Sequence, residues 1–129
     1  MAVRPGDRFT ASVTRRGSSW TLTITNRTTG KRSSTKHVRA TPGTLALWIV
    51  EAPSTQVTQV GLHVLPLAKF ATVTMTSAQT VIGGIRGNVA SPRWAHIRFD
   101  MTTTDGVAKA IASRLQDGGS AFTSAWRHQ

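Results

Sequence analysis

Leu45-Ala46-Leu47-Trp48-Ile49-Val50-Glu51-Ala52-Pro53 is an apolar stretch that closes on the only glutamate of a 129-residue chain. Read at period two, Ala46, Trp48 and Val50 point to one face and Leu47, Ile49 and Glu51 to the other, which is the pattern of a β-strand. Pro53 cannot donate a ladder hydrogen bond, so the strand is expected to stop near the carboxylate. Glu51 then sits at the rim of a sheet beside apolar neighbours, where partial desolvation would suit a carboxyl to proton transfer. A solvated strand-end carboxylate is the other reading of the same spacing.

The segments around this stretch repeat the β pattern. Residues 8 to 14 set Phe9, Ala11 and Val13 on one face, Arg15 to Ser19 form a turn, and Trp20, Leu22 and Ile24 then alternate with Thr21, Thr23 and Thr25. That is a hairpin with one buried face. Arg27-Thr28-Thr29-Gly30 closes a second turn, after which 31 to 39 reads as a polar edge strand whose lysines discourage further pairing. Downstream, 54 to 66 reads as a returning loop, 69 to 77 as a strand, Gly83-Gly84 and Gly87-Asn88 as turn signals, and 94 to 101 and 121 to 126 as further strands. Val107, Ile111 and Leu115 recur at helical spacing, so 107 to 115 is open between a short helix and a loop. Hairpins at this frequency imply two packed antiparallel sheets.

Length and composition bound the rest. A chain of this size, 1 to 129, is one domain's worth. With no cysteine there is no disulfide framework, thiolate metal site or thiol nucleophile. The N-terminal residues lack the apolar core of a signal peptide, and no run is long enough to span a bilayer, so no membrane partner is expected. The net charge of +11 is concentrated early, with Arg4, Arg8, Arg15, Arg16, Arg27, Lys31, Arg32, Lys36 and Arg39 set against Asp7 alone. Such a field favours non-specific contact with polyanions, although no recognition helix, RNA-binding signature or stacking platform accompanies it.

Several motifs resemble one family. Trp48-Ile49-Val50-Glu51 with Pro53, followed by Leu67-Ala68-Lys69-Phe70 and Val73-Thr74-Met75-Thr76, is similar to the glutamic peptidases, the eqolisin or G1 family. Pro5-Gly6-Asp7-Arg8-Phe9 resembles that family's Gly-Asp strand opening, Trp20 to Gly30 its strand and Asn-x-Thr-x-Gly turn, and Gly118 to Trp126 its closing strand. The resemblance covers most of this chain but only the later, C-terminal part of a family domain. It implies an all-β, antiparallel concanavalin A-like β-sandwich of jelly-roll type, incomplete at the N-terminus, with an active site on a concave sheet face.

The resemblance also implies a chemistry. Glu51 falls on the family's catalytic acid, which takes a proton from attacking water and returns it to the leaving amine of a polypeptide substrate, while a glutamine amide stabilises the oxyanion. That glutamine lies upstream of the Gly-Asp strand in the family. Gln56, Gln59, Gln79, Gln116 and Gln129 all follow Glu51, so none is its counterpart, and the missing strands or a partner chain are expected to supply it. Leu47 replaces the family's first glutamate on the face shared with Glu51. The family is secreted and acid-active, which implies an upstream segment.

Other candidates are weaker. His37, His63, His96 and His128 show no metal-ligand spacing, and neither a metal nor a cofactor is expected. Asn26-Arg27-Thr28 is a glycosylation sequon that also reads as a turn. Trp20, Trp48, Trp94 and Trp126 suit either core packing or a groove for peptide or glycan. Two further readings therefore stand beside the peptidase: a non-catalytic peptide- or glycan-binding sandwich, and a basic nucleic-acid-binding module.

Overall fold

A computed structural model describes residues 1–40, 43–57 and 61–128, without the side chains of 56–63. The chain forms two compact units, Met1–Gly43 and Thr44–Gln129.

The first unit is a three-stranded antiparallel sheet in the order β1-β2-β3, with β1 Phe9–Arg16, β2 Ser19–Asn26 and β3 Arg32–Val38. The expected hairpin is present, with Ala11 paired to Ile24 and Val13 to Leu22, so the apolar side chains share one face. The burial expected of that face is not found: Phe9, Val13, Leu22 and Ile24 are all exposed, because alternation places side chains on a face but cannot supply what covers it. Gly17 supplies, at φ 59°, the positive φ that a two-residue hairpin loop demands. Among the described residues β3 pairs with β2 alone and is an edge strand, as its polar composition suggested.

Asn26 ends β2 and latches the following turn. It is 0% exposed, its Oδ1 accepts the backbone N–H groups of Thr28 (2.9 Å) and Thr29 (3.1 Å), and its Nδ2 donates to Asp7 Oδ2 (2.7 Å). An Asn side chain that satisfies two backbone donors is the device by which this residue type builds turns. The sequon is therefore a turn, its amide nitrogen buried and engaged.

The second unit is built on a four-stranded antiparallel sheet in the order β6-β11-β10-β9: β6 Thr72–Met75, β11 Phe122–Trp126, β10 Ala108–Ala112 and β9 Met101–Thr102. One hairpin precedes it in the chain, β4 Ser54–Val57 with β5 Gly61–Val64, and a second, β7 Gln79–Ile82 with β8 Ile85–Asn88, lies between β6 and β9. Its core gathers Ala52, Leu67 and Ala110, with Phe70, Met101 and Trp126 packed on them. Among the described residues the one helical element is a 3-10 turn, Asp117–Gly119.

Four other expectations need correction. Residues 54 to 66 are not a plain loop but carry the β4–β5 hairpin. Gly83-Gly84 is the expected turn, the loop of the β7–β8 hairpin with both glycines at positive φ, but Gly87-Asn88, read as a turn signal too, lies within β8. The stretch 107 to 115 is neither helix nor loop: Ala108–Ala112 is a strand. A spacing of four residues is a multiple of two, so Val107, Ile111 and Leu115 also share one face of an extended chain. The stretches 45–50 and 94–100 are not strands of any sheet among the described residues. Their composition favours extension, but a ladder needs a neighbour.

Candidate functional site

The two unpaired stretches converge on one groove in the second unit. It has a volume of about 1080 Å³ and is lined by residues 44–51, by residues 94–101, and by one face of β10 and β11 that includes Ala110, Ala112, Phe122 and Ser124. The sheet face is small-sided because Ala112 pairs with Ser124, so the chain there offers little bulk. Trp48 and Trp94 supply the aromatic surface.

Although 45–50 makes no ladder, its burial still alternates. Ala46, Trp48 and Val50 are half-buried and Ala52 is buried, whereas Leu45, Leu47, Ile49 and Glu51 are exposed. The two faces expected from period two are thus preserved. Glu51 lines the groove, but the desolvation expected of it is absent, since the residue is exposed.

What holds Glu51 in place is its C-terminal neighbour. Ala52 is buried against Leu67 and Ala110, and the Pro53 carbonyl accepts the Leu65 N–H at 2.8 Å, so the chain is pinned directly after the carboxylate. Leu67 and Phe70, singled out as motif residues, belong to this anchoring cluster. Lys69, between them in the motif, places its ammonium 5.5 Å from the Trp126 ring centroid, a cation–π distance. Trp126 Nε1 is buried without a partner, so the ring is held by packing and by the cation.

A second carboxylate reaches the groove, which sequence reasoning passed over. Asp100 Oδ1 accepts the Ala112 backbone N–H at 3.0 Å, and its Oδ2 accepts from Arg98 at 3.1 Å. The carboxylate takes the place of a ladder carbonyl of the strand beside β10, where the β9 ladder ends at Met101. The available signal was Arg98-Phe99-Asp100, where opposite charges two apart share one side of an extended chain.

The other sequence candidates disperse. Trp94 packs over Gly87, where an added Cβ would lie 2.7 Å from its ring. Trp20 belongs to the first unit, with the Arg15 guanidinium 5.7 Å from its ring centroid. His96 lines the groove, His37 lies on β3, and His128 follows β11. Among the described residues no three His, Asp or Glu side chains come together as a metal site. Gln79 lies on β7 and Gln116 before the 3-10 turn; neither lines the groove. Gln59 and Gln129, and the side chains of Gln56 and His63, lie outside the described residues.

The model of the Peptidase A4 family matches residues 1–124. Among solved structures, the crystal structure of aspergilloglutamic peptidase from Aspergillus niger is similar, with a TM-score of 0.73 and 23% identity over 98% of this chain and 70% of that one. The expected all-β antiparallel β-sandwich is therefore the fold. No curated protein matches the sequence.

Proposed function

Because the chain belongs to the Peptidase A4 family, we propose that it is a glutamic peptidase of the eqolisin (G1) type, that it corresponds to the later part of the family domain, and that Glu51 is its general acid and base. The observation that carries this reading is that the only glutamate in the chain lines the groove and is pinned there by buried Ala52. An extended polypeptide substrate lies along the groove. Glu51 takes a proton from water as the water oxygen bonds to the scissile carbonyl carbon. It then gives that proton to the amide nitrogen as the C–N bond breaks, leaving a carboxylic acid and an amine. The oxyanion requires a preorganised donor, and among the described residues no glutamine lines the groove. The glutamine comes from strands of a further segment or of a partner chain.

The test is pepstatin-resistant hydrolysis of a denatured protein at acidic pH, with the chain supplied with such strands, comparing it with Glu51→Gln. General acid–base catalysis is worth about 10²–10⁴-fold, so the variant should lose at least about a hundredfold. Equal rates in the two proteins would remove Glu51 from the mechanism.

One observation favours a second reading. Trp48 and Trp94 both line the groove, and apolar aromatic surface suits a non-catalytic peptide-binding cleft. Binding that survives Glu51→Gln but is lost on truncating either tryptophan, in the absence of any hydrolysis, would select it.

A further inference from the structure

The two faces of the first unit's sheet differ in chemistry. On one lie Phe9, Val13, Leu22 and Ile24. On the other, the register stacks Thr10, Thr25 and Arg32 in one rung and Thr14, Thr21 and Lys36 in another, with Ser12, Thr23 and Ser34 between them and Arg16 at the end. Apart from Val38, every side chain on this second face is a hydroxyl or a cation. No carboxylate shares it. The unit's one acid, Asp7, is engaged with Asn26 and with the Arg4 backbone N–H.

The cations and the β1 hydroxyls are available. β1 and β3 are exposed throughout, and the single ion pair among the described residues, Arg98 with Asp100, lies in the other unit. The β2 hydroxyls of Thr21, Thr23 and Thr25 are half-buried, and Thr23 and Ser34 hydrogen-bond each other at 3.2 Å. Arg32 and Lys36 are four residues apart on one strand, about 14 Å at the rise of an extended chain. A small anion cannot bridge that span, whereas a polymer with closely spaced charges meets both. Arginine, lysine, serine and threonine are the side chains that contact phosphate oxygens along a nucleic-acid backbone. With Phe9 and Trp20 on the opposite face, there is no platform on which unpaired bases could stack.

We propose that the hydroxyl-and-cation face of the β1-β2-β3 sheet binds the phosphate backbone of duplex nucleic acid without reading its sequence. Charge complementarity supplies the affinity, and the exposed β1 hydroxyls of Thr10, Ser12 and Thr14 supply short-range hydrogen bonds. The inference is independent of the peptidase reading, because none of these residues lines the groove.

The experiment is fluorescence anisotropy of a random-sequence duplex titrated with the full chain at several salt concentrations. The triple variant Arg16→Gln, Arg32→Gln, Lys36→Gln should bind at least tenfold more weakly at low salt. Its log–log salt slope should fall by about three, near 0.9 per phosphate contact. A charge-matched control, Arg4→Gln, Arg27→Gln, Lys31→Gln, removes three cations outside the strands and should change the slope by less than half as much. Thr21→Glu, which sets one carboxylate on the central strand, should weaken binding even if the triple variant fails to fold. Equal losses in the two triple variants, no duplex binding at low salt, or binding of a sulphated glycan without binding of the duplex would each overturn the proposal.

Discussion

Asn26 Nδ2 donates to Asp7 Oδ2 at 2.7 Å, joining the segment before β1 to the end of β2. The same side chain accepts two backbone N–H groups through Oδ1, so three polar groups depend on one fully buried amide. Asn26→Ala strands them. A lost hydrogen bond to a charged group and two part-buried donors left to water together predict destabilisation of about 1.5–3 kcal/mol, read as a lower denaturant midpoint at unchanged slope. A loss below about 0.5 kcal/mol would mean that water replaces the amide without penalty.

The glycines separate backbone strain from crowding. Gly17 has φ 59° with open space around the position of an added Cβ, whereas Gly119, at φ 94°, would drive a Cβ into Ala90. Gly17→Ala is expected to cost about 1–2 kcal/mol from the left-handed conformation alone. Gly119→Ala adds overpacking of about 1–3 kcal/mol. Thermal unfolding of the two variants tests the ranking, and the reverse order would place the turn at Gly119 away from Ala90.

How far the sequence could be read depended on whether the determinant was local. The β1–β2 hairpin was legible because Gly17 marks the loop and the alternation of 9–13 and 20–24 leaves one register that sets like beside like, although the apolar face stays exposed. Glu51 is singled out only by its motif, since spacing alone fits a solvated strand end as well, and the residue is exposed. Residues 45–50 and 94–100 show where local information ends. Their side chains specify extension, but pairing is a property of the neighbour, and the β9 ladder ends beside a side chain, Asp100, that competes for the ladder donor. The strand at 108–112 was hidden by an arithmetic coincidence between helical and extended spacings.

That competition predicts a selective effect. Asp100→Ala leaves the Ala112 N–H without its acceptor, whereas Asp100→Asn keeps an oxygen at Oδ1 and loses only the exposed pair with Arg98. The alanine variant should lose about 1–3 kcal/mol, and the asparagine variant less than about 1 kcal/mol. Hydrogen exchange at the Ala112 amide should accelerate in the first and not in the second. Equal exchange in both would assign the protection to the sheet itself.

Anchoring of the catalytic candidate can be separated from its chemistry. Leu67 is buried against Ala52, one residue after Glu51, so Leu67→Ala opens a cavity beneath the carboxylate's backbone at a cost of about 2–5 kcal/mol. Under the peptidase reading, this variant lowers turnover while leaving the ionisable group in place, unlike Glu51→Gln, which removes it at little cost in stability. Measuring unfolding midpoint and hydrolysis on both variants distinguishes the two effects. A stable Leu67→Ala protein with unaltered turnover would show that the core beneath Glu51 does not position it.

The groove's rim makes the chain prone to association. Leu47 is 57% exposed, Ile97 74% and Phe99 64%, and the stretches that carry them have extended-type composition with no ladder partner among the described residues. Exposed apolar residues on unpaired, strand-forming backbone are the features that drive edge-to-edge pairing. Charge opposes it, but most of the excess positive charge lies in the first unit, away from these residues in sequence. Sedimentation velocity across a concentration series should therefore show growth in mean mass. Leu47→Lys and Ile97→Lys should each shift that growth to higher concentration, with raised salt strengthening association as repulsion is screened. A compact monomer at every concentration and salt would mean that the rim residues find cover within the chain.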